Sequence, residues 1–306
     1  MSVTIVRAVR RMPLPERYDL ARTAAGLTVI QADPTLRIGP TEVWWATRTP
    51  DGPGTLHLCR DGTALAATAY GPGSGWLLDR ADAVAGLRDD PTGFGPLAAQ
   101  HPLVRELARR HSGVRMPASG RVFHNLVPAI LGQKVTGLEA HRGYTRMVRH
   151  FGEPAPGPHP GVALPPDAAA VAATPYWTFH PFGVERRRAD TVRCAAQHAA
   201  KLESAPDAAE AGRRLTVLPG IGPWTAAEVT RASYGDPDAV SVGDYHIPNR
   251  VAWALAGEAR GDDARMLQLL EPFRGHRGRV CLLLAVAGIG APRFGPRASV
   301  RSFARF

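Results

Sequence analysis

Residues 213–249 read RRLTVLPGIGPWTAAEVTRASYGDPDAVSVGDYHIPN, and this stretch decides the fold. A helical pattern runs up to Leu218 and stops at Pro219-Gly220-Ile221-Gly222. A second helix starts at Pro223 or Trp224. Proline fits a first helical position because its φ is pre-set and its missing N–H has no partner there anyway. The two glycines are free to take positive φ and to let another backbone come close. The first N–H groups of the second helix have no partner inside it and carry the positive end of its dipole. A phosphate suits such an end. On these residues alone a second reading stays open, a tight link between two packed helices.

Further on, the apolar run Ala239-Val240-Ser241-Val242 delivers Gly243 and Asp244 to the start of another helix. Taken alone, an aspartate at that position is an ordinary N-cap. Taken together, Leu218-Pro-Gly-Ile-Gly-Pro-Trp-Thr-Ala226 and Val242-Gly-Asp-Tyr-His-Ile247 resemble the helix-hairpin-helix and Gly/Pro-Asp signature of the DNA glycosylases. The 3-methyladenine DNA glycosylase II branch is the most similar. The joint motif is specific, whereas either half alone is weak, and the resemblance covers residues 100–290.

The resemblance implies an α+β protein. An N-terminal antiparallel α/β sheet domain, residues 1–100, precedes a two-lobed all-helical glycosylase core, residues 101–290, with the hairpin at 207–235 and a cleft between the lobes. A basic tail, 291–306, follows. Asp244 becomes the catalytic carboxylate. Breaking an N-glycosidic bond builds positive charge on the sugar, which a nearby carboxylate stabilises while a water attacks. The bond is out of reach inside a duplex, so the nucleotide is flipped out.

Trp224 and Tyr245 match pocket aromatics, whose electron-rich faces suit a cationic alkylated purine. Glu228 stands where the branch has tyrosine. It lines the pocket in one reading and points to solvent in the other. A tryptophan of the last helix is replaced by a small or aliphatic residue near Ala285. Gln133 and Lys134, in Ala129-Ile-Leu-Gly-Gln-Lys-Val135, face the minor groove by resemblance, and Lys134 replaces an apolar wedge. Gly220, Gly222 and Thr225 contact the DNA backbone. Backbone carbonyls near Val217, Gly220 and Gly222 match a monovalent-cation site. The position of a Schiff-base lysine in lyases is Trp224 here.

The implied function is a monofunctional glycosylase of base excision repair, acting as a monomer on double-stranded DNA with a damaged, alkylated base. No cofactor is required. Two alternatives remain, a non-catalytic helix-hairpin-helix DNA binder and a glycosylase for another lesion class.

Bulk properties agree with that picture. In 306 residues, 44% are hydrophobic and 21% charged, as in soluble globular proteins. The net charge of +10 favours a polyanionic partner. Nearly all of it is arginine, with Lys134 and Lys201 the only lysines, so part of the charge reflects overall composition. No apolar run approaches the ~20 residues of a membrane span. The start of the chain lacks the apolar core of a signal peptide, so the expected location is cytoplasmic, at the nucleoid. Cys59, Cys194 and Cys281 are too scattered for zinc, and an iron–sulfur cluster needs four cysteines where only Cys281 is at hand.

Along the chain, Val3–Arg10, Glu42–Arg48, Thr55–Arg60 and Ala64–Tyr70 read as strands, the last two joined at Asp61-Gly62. A helix within Pro15–Ala25 covers one face. Of the pair Trp44-Trp45, one ring belongs to the core and one to an edge. Pro72–Gly75 reads as a loop. Helices are expected at 102–110, at 122–151 with a break at Gly132-Gln133-Lys134, at 165–173, at 184–203, at 207–218, at 245–257, after a cap at Asp262 or Asp263, and at 280–286. Arg186, Arg187 and Arg188 read as a solvated face.

Overall fold

The computed structural model describes residues 8–292. Strands β1 (Ala8–Pro13), β2 (Leu36–Ile38), β3 (Glu42–Thr49), β4 (Gly52–Asp61) and β5 (Ala64–Tyr70) form one antiparallel sheet in the order β1-β5-β4-β3-β2. The expected first strand therefore begins at Ala8 within the described residues, and the arginine-rich tail from Arg293 onward lies outside them. Alternation along β3 separates the tryptophans. Trp45 is buried, while Trp44 stacks on His57 at 3.8 Å between ring centres.

The buried face of the sheet packs against α1 (Leu20–Ala24), α2 (Ser74–Asp79) and α3 (Ala81–Val84), with Leu27, Leu56, Leu58, Leu65 and Leu77 between them. The loop expected at Pro72–Gly75 ends early, because helix α2 starts at Ser74. Gly54 explains how the helix fits. A Cβ there would sit 2.6 Å from Leu77 Cδ1, so the strand yields its side chain to the helix.

The remaining helices are α4 (Phe94–Ala98), α5 (Pro102–Arg110), α6 (Val122–Leu131), α7 (Gly137–Phe151), α8 (Ala168–Ala173), α9 (Arg186–Gln197), α10 (Ala199–Glu203), α11 (Ala208–Val217), α12 (Pro223–Tyr234), α13 (Ile247–Ala256), α14 (Asp263–Leu270) and α15 (Arg277–Val286). They bury two separate apolar clusters. One surrounds α6, every residue of which is buried, and takes in α7, α9, α11 and α12. The other joins Phe94, Ala98, Val104 and Leu107 to Val251, Met266, Leu270 and Leu284. Phe94 and Ala98, expected with the N-terminal sheet, thus pack with the last helices.

Two local expectations are corrected. The helix expected over 184–203 breaks at His198, whose ring Nδ1 meets the Cys194 carbonyl at 2.8 Å. The run 186–188 is not uniformly solvated. Arg188 is buried and donates to the Leu131 carbonyl at 2.8 Å, serving the C-terminal end of α6. Arg186 lies over the Tyr176 ring at 4.6 Å, and Arg187 stays exposed.

A buried polar chain fastens the sheet to α6. The Thr35 hydroxyl donates to Asp33 Oδ1 at 2.7 Å, so its oxygen accepts from His124 Nε2 at 3.0 Å. His124 Nδ1 is then the acceptor for the Thr47 hydroxyl at 2.9 Å. Burial pushes the His124 pKa down to about 3, and the Arg121 charge adds to this. No helix among the described residues is long and apolar enough to cross a membrane.

Candidate active site

Helices α11 and α12 form the hairpin. Asp207 caps α11 by accepting from the Glu210 N–H at 2.8 Å. The Leu218 carbonyl accepts from the Ile221 N–H at 3.1 Å, which closes the turn. Only Gly220 has positive φ, +84°, and a Cβ there would lie 2.5 Å from Thr191 Oγ1 on α9. Gly222 differs from the expectation, with φ −105° and ψ −176°, an extended backbone open to any residue. Nothing lies within 4 Å of where its Cβ would be. No side chain caps α12 and no acidic residue sits in its first turn. By contrast, α7 begins with a full capping box from Thr136 and Glu139.

The hairpin meets the α6–α7 turn through Gln133. Its amide Nε2 donates to the Gly220 carbonyl at 3.0 Å and to Thr225 Oγ1 at 2.9 Å. Gln133 is half-buried and Thr225 fully buried. Gly220 O, one of the carbonyls suggested for a monovalent cation, thus already has a donor. Val217, another, sits on an exposed residue. Among the described residues no cluster of His, Cys, Asp and Glu suits a metal ion. Lys134 is exposed in the left-handed region, φ +54°, at the tip of the same turn.

Asp244 is half-buried and lies directly against the hairpin. Its Oδ2 accepts from the Trp224 indole N–H at 3.0 Å. Its Oδ1 accepts from the His246 and Ile247 N–H groups at 2.7 and 2.9 Å, so the carboxylate satisfies two free donors at the start of α13. A carboxylate has about four lone-pair sites, so Oδ2 keeps one free. Trp224 in turn packs towards the α6–α7 turn, its ring edge 3.5 Å from the Cβ position of Gly132. The structure therefore gathers Asp244, Trp224, Thr225, Gly220 and Gln133 in one place.

It does not gather Tyr245 or Glu228 in the same way. Tyr245 is 84% exposed, edge-on to His246, and no packed pocket wall. Glu228 neither points to solvent nor stands free in a pocket. Its Oε2 accepts from Arg231 at 2.9 Å and its Oε1 from the Ser241 hydroxyl at 2.5 Å. The same Arg231 reaches the Gly26 and Thr28 carbonyls at 3.1 and 3.2 Å, tying α12 to the N-terminal region. Ala285 is exposed on α15.

Two groups escaped the sequence-based expectation. Cys281 packs against the second apolar cluster. Burial pushes its thiol up to about 12; Arg250 opposes this, and Glu228 and Asp244 add to it, so the thiol stays protonated at neutral pH. Asp263 accepts from the Gly243 N–H with both carboxylate oxygens at 3.0 Å. A hint lay in the doublet Asp262-Asp263, since one cap suffices for one helix. Two open surface hollows, of about 470 Å3 at Val148–Ala163 and about 320 Å3 between Gln100 and Phe273, are lined by neither Asp244 nor Trp224.

Hairpin, carboxylate turn and sheet together make the fold of the helix-hairpin-helix DNA glycosylases, and the resemblance read from residues 218–226 and 242–247 is borne out at that level. The chain is similar to the 3-methyladenine DNA-glycosylase from Archaeoglobus fulgidus, with a TM-score of 0.76 over 91% of this chain and 98% of that one, at 17% identity. It is also similar to the apo 8-oxoguanine glycosylase/lyase of Clostridium acetobutylicum, with a TM-score of 0.60 over 82% and 98% of the two chains, at 12% identity. In sequence it is 26% identical over 160 residues to a probable bifunctional transcriptional activator/DNA repair enzyme AlkA of Mycobacterium tuberculosis. That match covers 52% of this chain and 32% of the relative, so the chain spans about a third of the length of the curated relatives it matches. No known family model matches the chain.

Proposed function

We propose that this protein is a DNA glycosylase that removes a damaged base from duplex DNA by hydrolysis. The observation that carries the proposal is the hydrogen bond from Trp224 of the hairpin to Asp244, which sets a carboxylate beside an uncapped helix start. The uncapped α12 N-terminus takes a backbone phosphate, which fixes the strand. Gln133 braces the gap left by the flipped nucleotide, a role supported by its being held against the hairpin. As the bond from C1′ to the base nitrogen breaks, positive charge builds on the sugar and Asp244 stabilises it. A water oxygen bonds to C1′, its proton leaves towards Asp244, and the base departs with the bonding electrons. Trp224 offers an aromatic face to a cationic ring, which favours alkylated purines. The protein works as a monomer in the cytoplasm and needs no cofactor for this step.

Substituting Asp244→Asn tests the assignment. The carboxylate acts in the transition state more than in binding, so base release stops while affinity for duplex DNA stays near wild type or rises. Release would be followed on oligonucleotides carrying 3-methyladenine, 7-methylguanine, hypoxanthine, ethenoadenine or uracil. Continued excision by the variant on a good substrate removes Asp244 from the mechanism. Tight duplex binding without excision by the wild type favours a non-catalytic binder.

A further inference from the structure

The turn that carries Asp244 is held from behind by the α13–α14 loop, residues 257–262, and by Asp263 at the start of α14. On one side of Asp244, Gly243 adopts φ +91° and aims its N–H at both oxygens of Asp263, 3.0 Å away. On the other side, the Tyr245 carbonyl accepts from Asn249 Nδ2 at 3.3 Å. Asn249 Oδ1 accepts from the Gly261 N–H at 3.1 Å, which brings the loop back onto α13. Gly261 is needed for that approach. A Cβ there would lie 2.6 Å from Ala252 Cβ and 3.1 Å from the Pro248 carbonyl. Capping of α14 is done by Asp262, which accepts from the Arg265 N–H at 2.8 Å, so Asp263 is not needed for it.

We infer that Asp263, with Asn249 and Gly261, forms a clasp that positions Asp244 for the reaction, and this rests on the glycosylase assignment above. Asp244 hangs between two clasped residues. Its own hydrogen bonds fix the carboxylate relative to α13 and Trp224, and the clasp fixes the backbone from which it projects. Without Asp263 the Gly243 N–H loses its acceptor and a glycine hinge beside the carboxylate is freed. Rate depends steeply on such placement, whereas the grip on DNA comes from the hairpin. Asp263 is thus a positioning residue, and its loss separates rate from affinity.

The experiment uses the full chain and one lesion duplex on which the wild type is active. In Asp263→Ala, single-turnover excision slows by about 10- to 100-fold while the dissociation constant for the same duplex stays within about twofold. Asp263→Asn keeps an oxygen acceptor and restores excision to within about fivefold of wild type. Gly261→Ala changes no charge and slows excision in the same way. Amide exchange at Gly243 is the second readout: protection falls in Asp263→Ala and returns in Asp263→Asn. An unchanged excision rate per folded molecule in Asp263→Ala overturns the clasp, as does a Gly243 amide equally protected in all variants. If the wild type excises no base from any lesion, the glycosylase assignment falls, and the exchange measurement still decides whether Asp263 holds the turn.

Discussion

Gly220 and Gly222 share one turn but answer to different constraints. At Gly220 both the positive φ and Thr191 oppose a side chain, so Gly220→Ala lowers stability by roughly 1–3 kcal/mol, and any loss of DNA binding is mixed with misfolding. Gly222 is the cleaner probe. Its extended backbone and open surroundings accept aspartate, which caps α12 and removes freedom from the unfolded chain. Gly222→Asp should raise stability by about 0.5–1 kcal/mol in a thermal melt. It should also place a negative charge in the proposed phosphate seat, weakening binding to all duplexes alike and lowering the salt slope by about one contact. A variant that melts higher and binds as well as wild type would show that no phosphate occupies this helix end. Glycine is the weaker cap here, and the proposed phosphate seat supplies a reason for it.

Among the elements, the hairpin was the most legible in the sequence. Proline at N1 and glycine at the turn are local signals, and local signals fix local backbone. The break between α6 and α7 and the cap at Asp262 were legible for the same reason. Helix α2 was hidden because Pro72-Gly73-Ser74-Gly75 carries loop chemistry, and only burial of Leu77 against Gly54 pays for the helix. Glu228 could not be placed, since its partner Ser241 is on another segment, and the same holds for Asp263 and Gly243. The doublet Asp262-Asp263 hints at a spare carboxylate, but which partner it finds is set by tertiary folding and leaves no mark on local pattern. The hairpin also bears on strand cleavage. In the proposed function the hairpin offers Trp224 rather than an amine at this position, so product strands should stay intact until heated in alkali. Borohydride should trap no enzyme–DNA adduct at a rate matching excision. Trapping that keeps pace with base release and disappears in Lys134→Ala would make Lys134 a nucleophile and the enzyme a lyase.

At the scale of the molecule, sheet and helices are joined by buried polar contacts that respond to pH. His124 is neutral when folded, with a pKa of about 3, against about 6.5 in the unfolded chain. Between these values the unfolded state binds the extra proton. The contribution of His124 is therefore complete above about pH 6.5 and is lost as pH falls towards 3, by about 1.4 kcal/mol per pH unit. Asp33, at the other end of the chain, is raised by burial and works in the opposite sense, so the whole-protein profile mixes the two. The difference between wild type and His124→Gln isolates the first. Urea melts from pH 7 to 4 should show a shallower acid loss in the variant, and parallel profiles would mean that His124 is charged in the fold. The buried pair Asp89–Arg279 makes a second tie, from the connector after α3 to α15. Removing one partner leaves the other charge buried and costs about 3–5 kcal/mol.

The second helical cluster is split in the sequence, and that has a consequence in time. Val104 and Leu107 bury against residues as late as Leu283 and Leu284. Chains grow at about 5–20 residues per second, so α5 waits roughly 10–35 s on the ribosome for the surface that covers it. The lobe around α6 is complete once Tyr234 has emerged. Asp263 and Arg277, which brace the segment leading to Asp244, come later. On the proposed function, the nascent chain therefore completes the hairpin that would grip DNA before it completes the bracing of the carboxylate that would release the base.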